Sequence, residues 1–152
     1  MINKSSKIMT NQDLSIIESL TDEDILNMPE SDYMNELQLN FFKNKLKKLE
    51  QEILSNVEKN GKKLRETQFV PDPVDRASIE EEHALELRNR DRENKLLKQI
   101  QSSIARIDSK DYGWCEETGD PIGIPRLLAR PTATLSLEAK ERREMRQKLY
   151  GN

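Results

Sequence analysis

Two aspartates three residues apart are the most chemically suggestive pair in this chain. Asp72 and Asp75 stand among prolines in the run Pro71-Asp72-Pro73-Val74-Asp75. Paired carboxylates can hold a divalent metal ion. They can equally start a helix, with Asp72 as the N-cap, Pro73 at the first helical position and Asp75 at the third. A capped turn is also preorganised, so the two roles are compatible.

The sequence offers few residues for thiol or imidazole chemistry. Cys115 is the single cysteine and His83 the single histidine. One cysteine allows neither an internal disulfide nor a cysteine-rich metal site. Cys115 fits a small buried residue better than a redox sensor, and His83 has no second histidine or cysteine to share a metal. The sequence therefore predicts no self-contained catalytic site.

Two long helical runs flank the aspartates. Over residues 35–66 and 73–108, apolar residues recur at alternating steps of three and four, which is the seam of a coiled coil. The seam residues are Leu39, Phe42, Leu46, Leu49, Ile53 and Val57, then Leu97, Ile100, Ile104 and Ile107. Joined by a tip at residues 69–78, the runs predict an antiparallel hairpin. About 30 residues of helix give a rod about 45 Å long.

The second seam changes character toward the tip. Its register there passes through Ile79, Glu86, Arg90 and Glu93, so charged side chains replace apolar ones. A seam with a charged centre packs weakly, because buried charges need partners. These side chains are therefore candidates for duties other than packing.

The composition fits extended helices better than one compact core. Of 152 residues, 34% are hydrophobic and 35% are charged, whereas globular domains average about 45–50% and 25%. The net charge of −3 argues against nucleic acid as a direct partner. No window resembles a signal peptide or a membrane span. We therefore expect a soluble, cytoplasmic protein without membrane contacts.

The rest of the chain divides around the hairpin. Residues 1–34 are expected to pack on a globular module. Residues 109–135 are rich in Gly, Asp and Pro turn signals and predict a small irregular or β-hairpin module. Residues 136–152 return to helix. The predicted fold is mostly α: a long antiparallel coiled-coil hairpin, a small globular module and a C-terminal helix.

Several motifs follow one another in a fixed order along residues 33–149. They are residues 33–36 (YMNE), 72–77 (DPVDRA), 85–93 (LELRNRDRE), 122–127 (IGIPRL) and 129–133 (ARPTA). With these motifs the chain resembles the DksA/TraR family of bacterial RNA polymerase regulators.

The resemblance implies how such a protein acts. Family members insert the hairpin into the secondary channel of RNA polymerase and do not read DNA sequence. They change promoter open-complex stability, repressing rRNA promoters and activating amino-acid promoters. They do so in the stringent response, together with the alarmone ppGpp. We expect the same of this chain, as a monomer.

The resemblance also implies roles for particular residues. Those expected to act at the tip are Asp72, Asp75 and Ala77. Those expected to serve the ppGpp response or polymerase contact are Arg92, Lys95, Arg130 and Lys140. Cationic side chains suit a phosphate-rich ligand. Gln99 departs from the pattern, because better-known members carry a lysine there, and this weakens the expected ppGpp response.

A second departure concerns zinc. The family's four-cysteine site falls here on Cys115, Thr118, Ser136 and Ala139. Hydroxyls are poor zinc ligands and alanine is none, so no metal is expected. The chain thus resembles a zinc-independent, cysteine-poor branch of the family. Packing must then hold the module, and the residues expected to do so are Trp114, Ile122, Ile124, Leu127, Leu135 and Leu137.

Two other functions remain open from the sequence. A transcript-cleavage factor of similar shape would use Asp72 and Asp75 to hold a second metal ion at the polymerase active site. A generic coiled-coil adaptor would bind a helix in a groove, which explains the seams and leaves the tip aspartates as helix caps. The preferred interpretation is a non-enzymatic regulator.

Overall fold

A computed structural model describes residues 11–66 and 73–151 of the chain. Over these residues the protein is mostly helical. The elements are α1 (Asn11–Ser19), α2 (Asp22–Leu26), a 3-10 turn (Glu30–Asp32), α3 (Glu36–Glu66), α4 (Pro73–Asp108), α5 (Ile124–Ala129) and α6 (Leu137–Tyr150). The predicted mostly-α fold is confirmed. In the described ranges, none of the helices is long and apolar enough to cross a membrane.

The hairpin has the predicted extent. Helices α3 and α4 are 31 and 36 residues long and pack against each other. Seam residues Phe42, Leu46 and Ile100 are fully buried, and Leu97 and Ile104 are partly buried against the same core. Arg90, which the register placed on the seam, is instead exposed. Of the predicted tip at 69–78, residues 69–72 lie outside the described residues, and residues 73–78 form the start of α4.

Short helices cover the base of the hairpin. Helix α1 packs on α3, and α2 packs on α5. Helix α2 starts with a capping box, in which Thr21 Oγ1 accepts from the Asp24 amide and the Asp24 carboxylate accepts from the Thr21 amide. Phe42 contacts Tyr112 with ring centroids 5.6 Å apart. One continuous core therefore joins the hairpin base to the globular module.

The globular module is irregular, which decides between the two predicted alternatives. Its only described pairing of extended backbone is an isolated antiparallel bridge between Trp114 and Pro121. Turns connect this bridge to helix α5, which the sequence analysis did not predict. Gly113 adopts φ of 88°, and a Cβ there would lie 2.5 Å from the Met34 sulfur. Glycine is therefore required where the N-terminal segment crosses the module.

Tyr33 fastens the N-terminal segment to this module. Its hydroxyl donates to the Gly113 carbonyl at 2.6 Å and accepts from the Gly123 amide at 2.9 Å. Its ring meets Trp114 edge-on, with centroids 5.3 Å apart. One side chain thereby links three separate stretches of backbone.

Candidate functional site

The residues expected at the tip are only partly described. Asp72 lies outside the described residues. Helix α4 begins at Pro73, so Asp75 falls in its first turn. Ala77 is exposed, one turn from the start of the helix. The start at Pro73 agrees with the predicted first helical position, while the roles of Asp72, Asp75 and Ala77 remain predictions.

A basic pocket lies at the other end of α4, where it meets the module and α6. Its volume is about 480 Å³. Its lining, called the basic pocket below, comprises Lys98, Gln99, Ser102, Arg126, Arg130, Thr132, Ala133, Thr134, Leu135, Lys140, Arg143, Glu144 and Gln147. Five of these side chains are cationic and one is acidic. Such a cavity suits an anion with several charged groups.

The cations of the pocket differ in how they are engaged. Arg126 donates from Nε to the Leu135 carbonyl at 3.0 Å, and Lys140 lies 3.8 Å from Glu144 along one face of α6. Arg143 pairs with Glu117 at 2.7 Å. Lys98 and Arg130 have no carboxylate partner among the described residues. Two cations are therefore available to meet a ligand directly.

Tyr112 holds the loop that carries Arg130. Its hydroxyl donates to the Pro131 carbonyl at 2.6 Å. Burial, together with the nearby Tyr33, raises the pKa of Tyr112, so the hydroxyl stays protonated and keeps donating. The Glu116 amide also donates to the Thr134 carbonyl at 2.9 Å. The pocket wall is thus fixed to the module backbone.

The structure brings together two of the four residues expected to serve the ppGpp response. Arg130 and Lys140 both line the pocket. Arg92 and Lys95 do not line it. They are exposed on α4, about 10 Å and 6 Å along the helix axis from Gln99, toward the tip. Because steps of three and four share a helix face, they continue the stripe that Gln99 begins.

Three pocket cations were missed or discounted by sequence reasoning. Lys98 was not named as a site residue, yet it lines the cavity together with its neighbour Gln99, because the pocket is wide enough to span two adjacent helix positions. Arg126 and Arg143 were not singled out. Arg143 follows Lys140 by three residues on one helix, and that spacing was the available signal.

The four positions of the family's zinc site do not fit a metal. Ser136 is the N-cap of α6, and its hydroxyl accepts from the Ala139 amide at 3.3 Å. Ala139 offers no ligand atom, and the Thr118 hydroxyl accepts from the Asp120 amide at 3.2 Å. Among the residues described, no group of three or more His, Cys, Asp or Glu could hold a metal ion. The donor chemistry needed for tetrahedral zinc is absent from these four positions.

Cys115 is buried, as expected of a small core residue, with 3% of its surface exposed. Burial alone would raise the pKa of its thiol. Hydrogen bonds from the Thr118 hydroxyl and from the backbone at Ser136, Thr118 and Glu117 outweigh burial and lower the pKa to about 6. The backbone therefore still converges on this sulfur. That convergence could not be read from the sequence.

The packing predicted for the module is largely confirmed. Ile122, Leu127 and Leu135 are buried, and Ile124 packs against the same core. Trp114 and Leu137 were predicted to join them, but both are exposed. Leu137 is the first residue of α6, whose inward face in this turn is supplied by Ala139.

Comparisons with known proteins agree in both halves of the chain. Residues 38–107 match the family described as DnaK suppressor protein DksA, N-terminal domain. Residues 110–144 match the prokaryotic dksA/traR C4-type zinc finger.

Individual relatives extend this similarity. The RNA polymerase-binding transcription factor DksA of Caulobacter vibrioides is 48% identical over 119 residues, covering 78% of this chain and 84% of the relative. The protein of the same name from Escherichia coli is 43% identical over 136 residues, covering 89% and 90%. The solved structure of transcription factor DksA2 from Pseudomonas aeruginosa superimposes with a TM-score of 0.78 at 44% identity, covering 84% and 99%.

Proposed function

The chain belongs to the DksA/TraR family, and we therefore propose that it regulates transcription by binding RNA polymerase. Its relatives are named transcription factors, not enzymes. The observation that carries the proposal is the hairpin, in which two packed helices of 31 and 36 residues extend from the module. We expect a monomer that works in the bacterial cytoplasm.

The hairpin is proposed to enter the secondary channel of the polymerase. Helix α4, about 54 Å long at 1.5 Å per residue, is long enough to carry Asp72 and Asp75 deep into a channel. There the two carboxylates act on the catalytic region and change open-complex stability. The regulator thereby represses rRNA promoters and activates amino-acid promoters without reading DNA sequence.

The basic pocket is proposed as this chain's share of a ppGpp site at the polymerase interface. Lys98, Arg130 and Lys140 would meet phosphate groups, and Arg92 and Lys95 extend the positive stripe along α4. Five cations against one acid in the lining support this assignment. Gln99 leaves one wall with less positive charge than in the better-known members.

We further propose that the module works without zinc. Hydrogen bonds to the Cys115 sulfur, the Ser136 cap and the buried packing around Leu127 supply the cohesion. Regulation should then persist when zinc is scarce.

Run-off transcription from an rRNA-type promoter tests the proposal. Purified polymerase is incubated with the protein, with and without ppGpp, in the presence of a zinc chelator. We expect inhibition that the chelator leaves intact, that ppGpp strengthens and that Asp75→Asn abolishes. Glu58→Gln, at an exposed site on α3, is the matched control and should inhibit like wild type.

Other outcomes point to the alternatives. RNA cleavage in a stalled elongation complex that depends on Asp72 and Asp75 would identify a cleavage factor. Normal folding with no effect on transcription would favour a coiled-coil adaptor. Loss of helicity on chelation would overturn zinc independence and leave polymerase binding standing.

A further inference from the structure

Arg143 stands at the border between the basic pocket and the module. It lies three residues after Lys140 on α6, so both side chains share one helix face and both line the cavity. Its Nε and Nη2 both donate to Glu117 Oε1, at 3.2 and 2.7 Å. Glu117 belongs to the loop between Cys115 and Thr118. One arginine therefore connects the pocket with that loop.

The ion pair between Glu117 and Arg143 is weak. The Arg143 side chain is 53% exposed and that of Glu117 34%. Ion pairs this exposed contribute little to stability, because water screens them and ordering two long side chains costs entropy. The pair is therefore easily exchanged for a more highly charged partner.

The α4 wall of the pocket, opposite Arg143, gives a reason for Arg143 to exchange Glu117 for a ligand. Gln99 is neutral, so α4 contributes one cation to the lining, Lys98, while α6 contributes Lys140 and Arg143. A guanidinium can donate two parallel hydrogen bonds to a phosphate, which an ammonium cannot. Of the three cations that these two helices bring to the lining, α6 supplies two, and Arg143 is the one of them that is not paired with the acidic Glu144 of the same helix.

We propose that Arg143 is a ligand-binding residue of the basic pocket, held by Glu117 in the free protein and transferred to a phosphate group when the polyphosphate binds. This inference rests on the proposed function, since it takes ppGpp as the ligand. Arg143 supplies from α6 the positive charge that Gln99 does not supply from α4. Glu117 is then a competitor of the ligand.

Competition predicts opposite effects for the two halves of the pair. Arg143→Gln removes a phosphate ligand and should weaken binding. Glu117→Gln frees the guanidinium and should strengthen it. A purely structural ion pair would behave differently, because breaking it from either side would then have the same effect.

The experiment measures open-complex lifetime with polymerase and full-length protein over a range of ppGpp concentrations. We expect Arg143→Gln to raise the half-maximal concentration about 3- to 10-fold and Glu117→Gln to lower it about 2-fold, modest effects because Arg143 is largely exposed and water screens its charge. Arg143→Lys should give an intermediate value. Arg142→Gln removes the same charge from the neighbouring position, which does not line the pocket, and should match wild type.

The possible results are distinguishable. Equal shifts in the same direction for Arg143→Gln and Glu117→Gln would overturn the inference, as would no shift in either. A wild-type protein that regulates without responding to ppGpp would also overturn it, while leaving polymerase binding intact. A wild-type protein with no effect on transcription would remove the proposed function itself. Thermal melts of each variant confirm folding before the comparison.

Discussion

The two ends of the hairpin follow the same heptad register with opposite chemistry. Next to the module, Phe42, Leu46 and Ile100 are fully buried. Toward the tip, one carboxylate oxygen each of Glu86 and Glu93 is enclosed, with no hydrogen-bond partner among the described residues. Apolar burial stabilises the base, whereas enclosed carboxylates weaken the part nearer the tip. The apolar packing that holds the two helices together is therefore concentrated next to the module, and the seam toward the tip is polar.

The largest expected effect comes from a substitution in the buried seam next to the module. Phe42→Ala removes a ring that touches Phe41 and Tyr112, and the cavity left should cost about 3–5 kcal/mol of unfolding free energy. Leu85→Ala, at a site 57% exposed on the tip side, should cost less than about 1 kcal/mol. Urea denaturation followed by circular dichroism measures both. Equal losses would contradict the contrast between the two ends.

A second prediction concerns the polar part of the seam, where an apolar substitution should reduce the difference in packing between the two ends. Glu93→Leu replaces an enclosed, unpaired carboxylate oxygen with an apolar group and should raise the unfolding free energy by about 1–3 kcal/mol. Glu82→Leu, exposed on the same helix, is the control and should change stability little. Stability that falls in Glu93→Leu would mean that this carboxylate has a stabilising role. Transcription assays on the same variant test whether the polar seam serves polymerase contact.

The smallest expected effect is a pH response confined to the module end. Hydrogen bonds hold the pKa of the Cys115 thiol near 6 instead of its ordinary 9. Hydrogen bonding to the Cys115 thiolate therefore stabilises the folded state fully above about pH 9, and this stabilisation is lost as the pH falls through 6. Cys115→Ala should cost more stability at pH 9 than at pH 6, as urea denaturation at the two pH values would measure. The cost of Leu85→Ala, on the tip side, should not change with pH, and a Cys115→Ala cost equal at both pH values would refute the lowered pKa.

The sequence predicted the hairpin well because helix periodicity is local. Leu39, Phe42 and Ile100 indicate their seam through spacing alone, and Pro73 marks the start of α4. Arg90 was misplaced because register extrapolated along a polar stretch is not fixed by packing. Helix α5 was missed because it is six residues long and has no side-chain cap.

The pocket was only half predictable. Arg130 and Lys140 followed from motifs, but their meeting with Lys98 and Arg143 depends on how the module turns back on α4. That path is set by contacts distant in sequence, such as the bond from Tyr112 to the Pro131 carbonyl. The lowered pKa of Cys115 has the same origin, since it requires backbone from Ser136. Single-residue patterns carry no information about such encounters.

The capping role of Ser136 determines what it would cost to build a four-cysteine ligand set at these positions by single mutations. Ser136→Cys would remove an N-cap worth about 1 kcal/mol. Ala139→Cys would add a sulfur at a site with no exposed surface, and Thr118→Cys would remove the hydroxyl that steadies Cys115. We expect each step to lower stability, and a tetrahedral ligand set is complete only after all three. A four-cysteine ligand set would therefore be reached only by passing through intermediates that are expected to fold less stably than the present module.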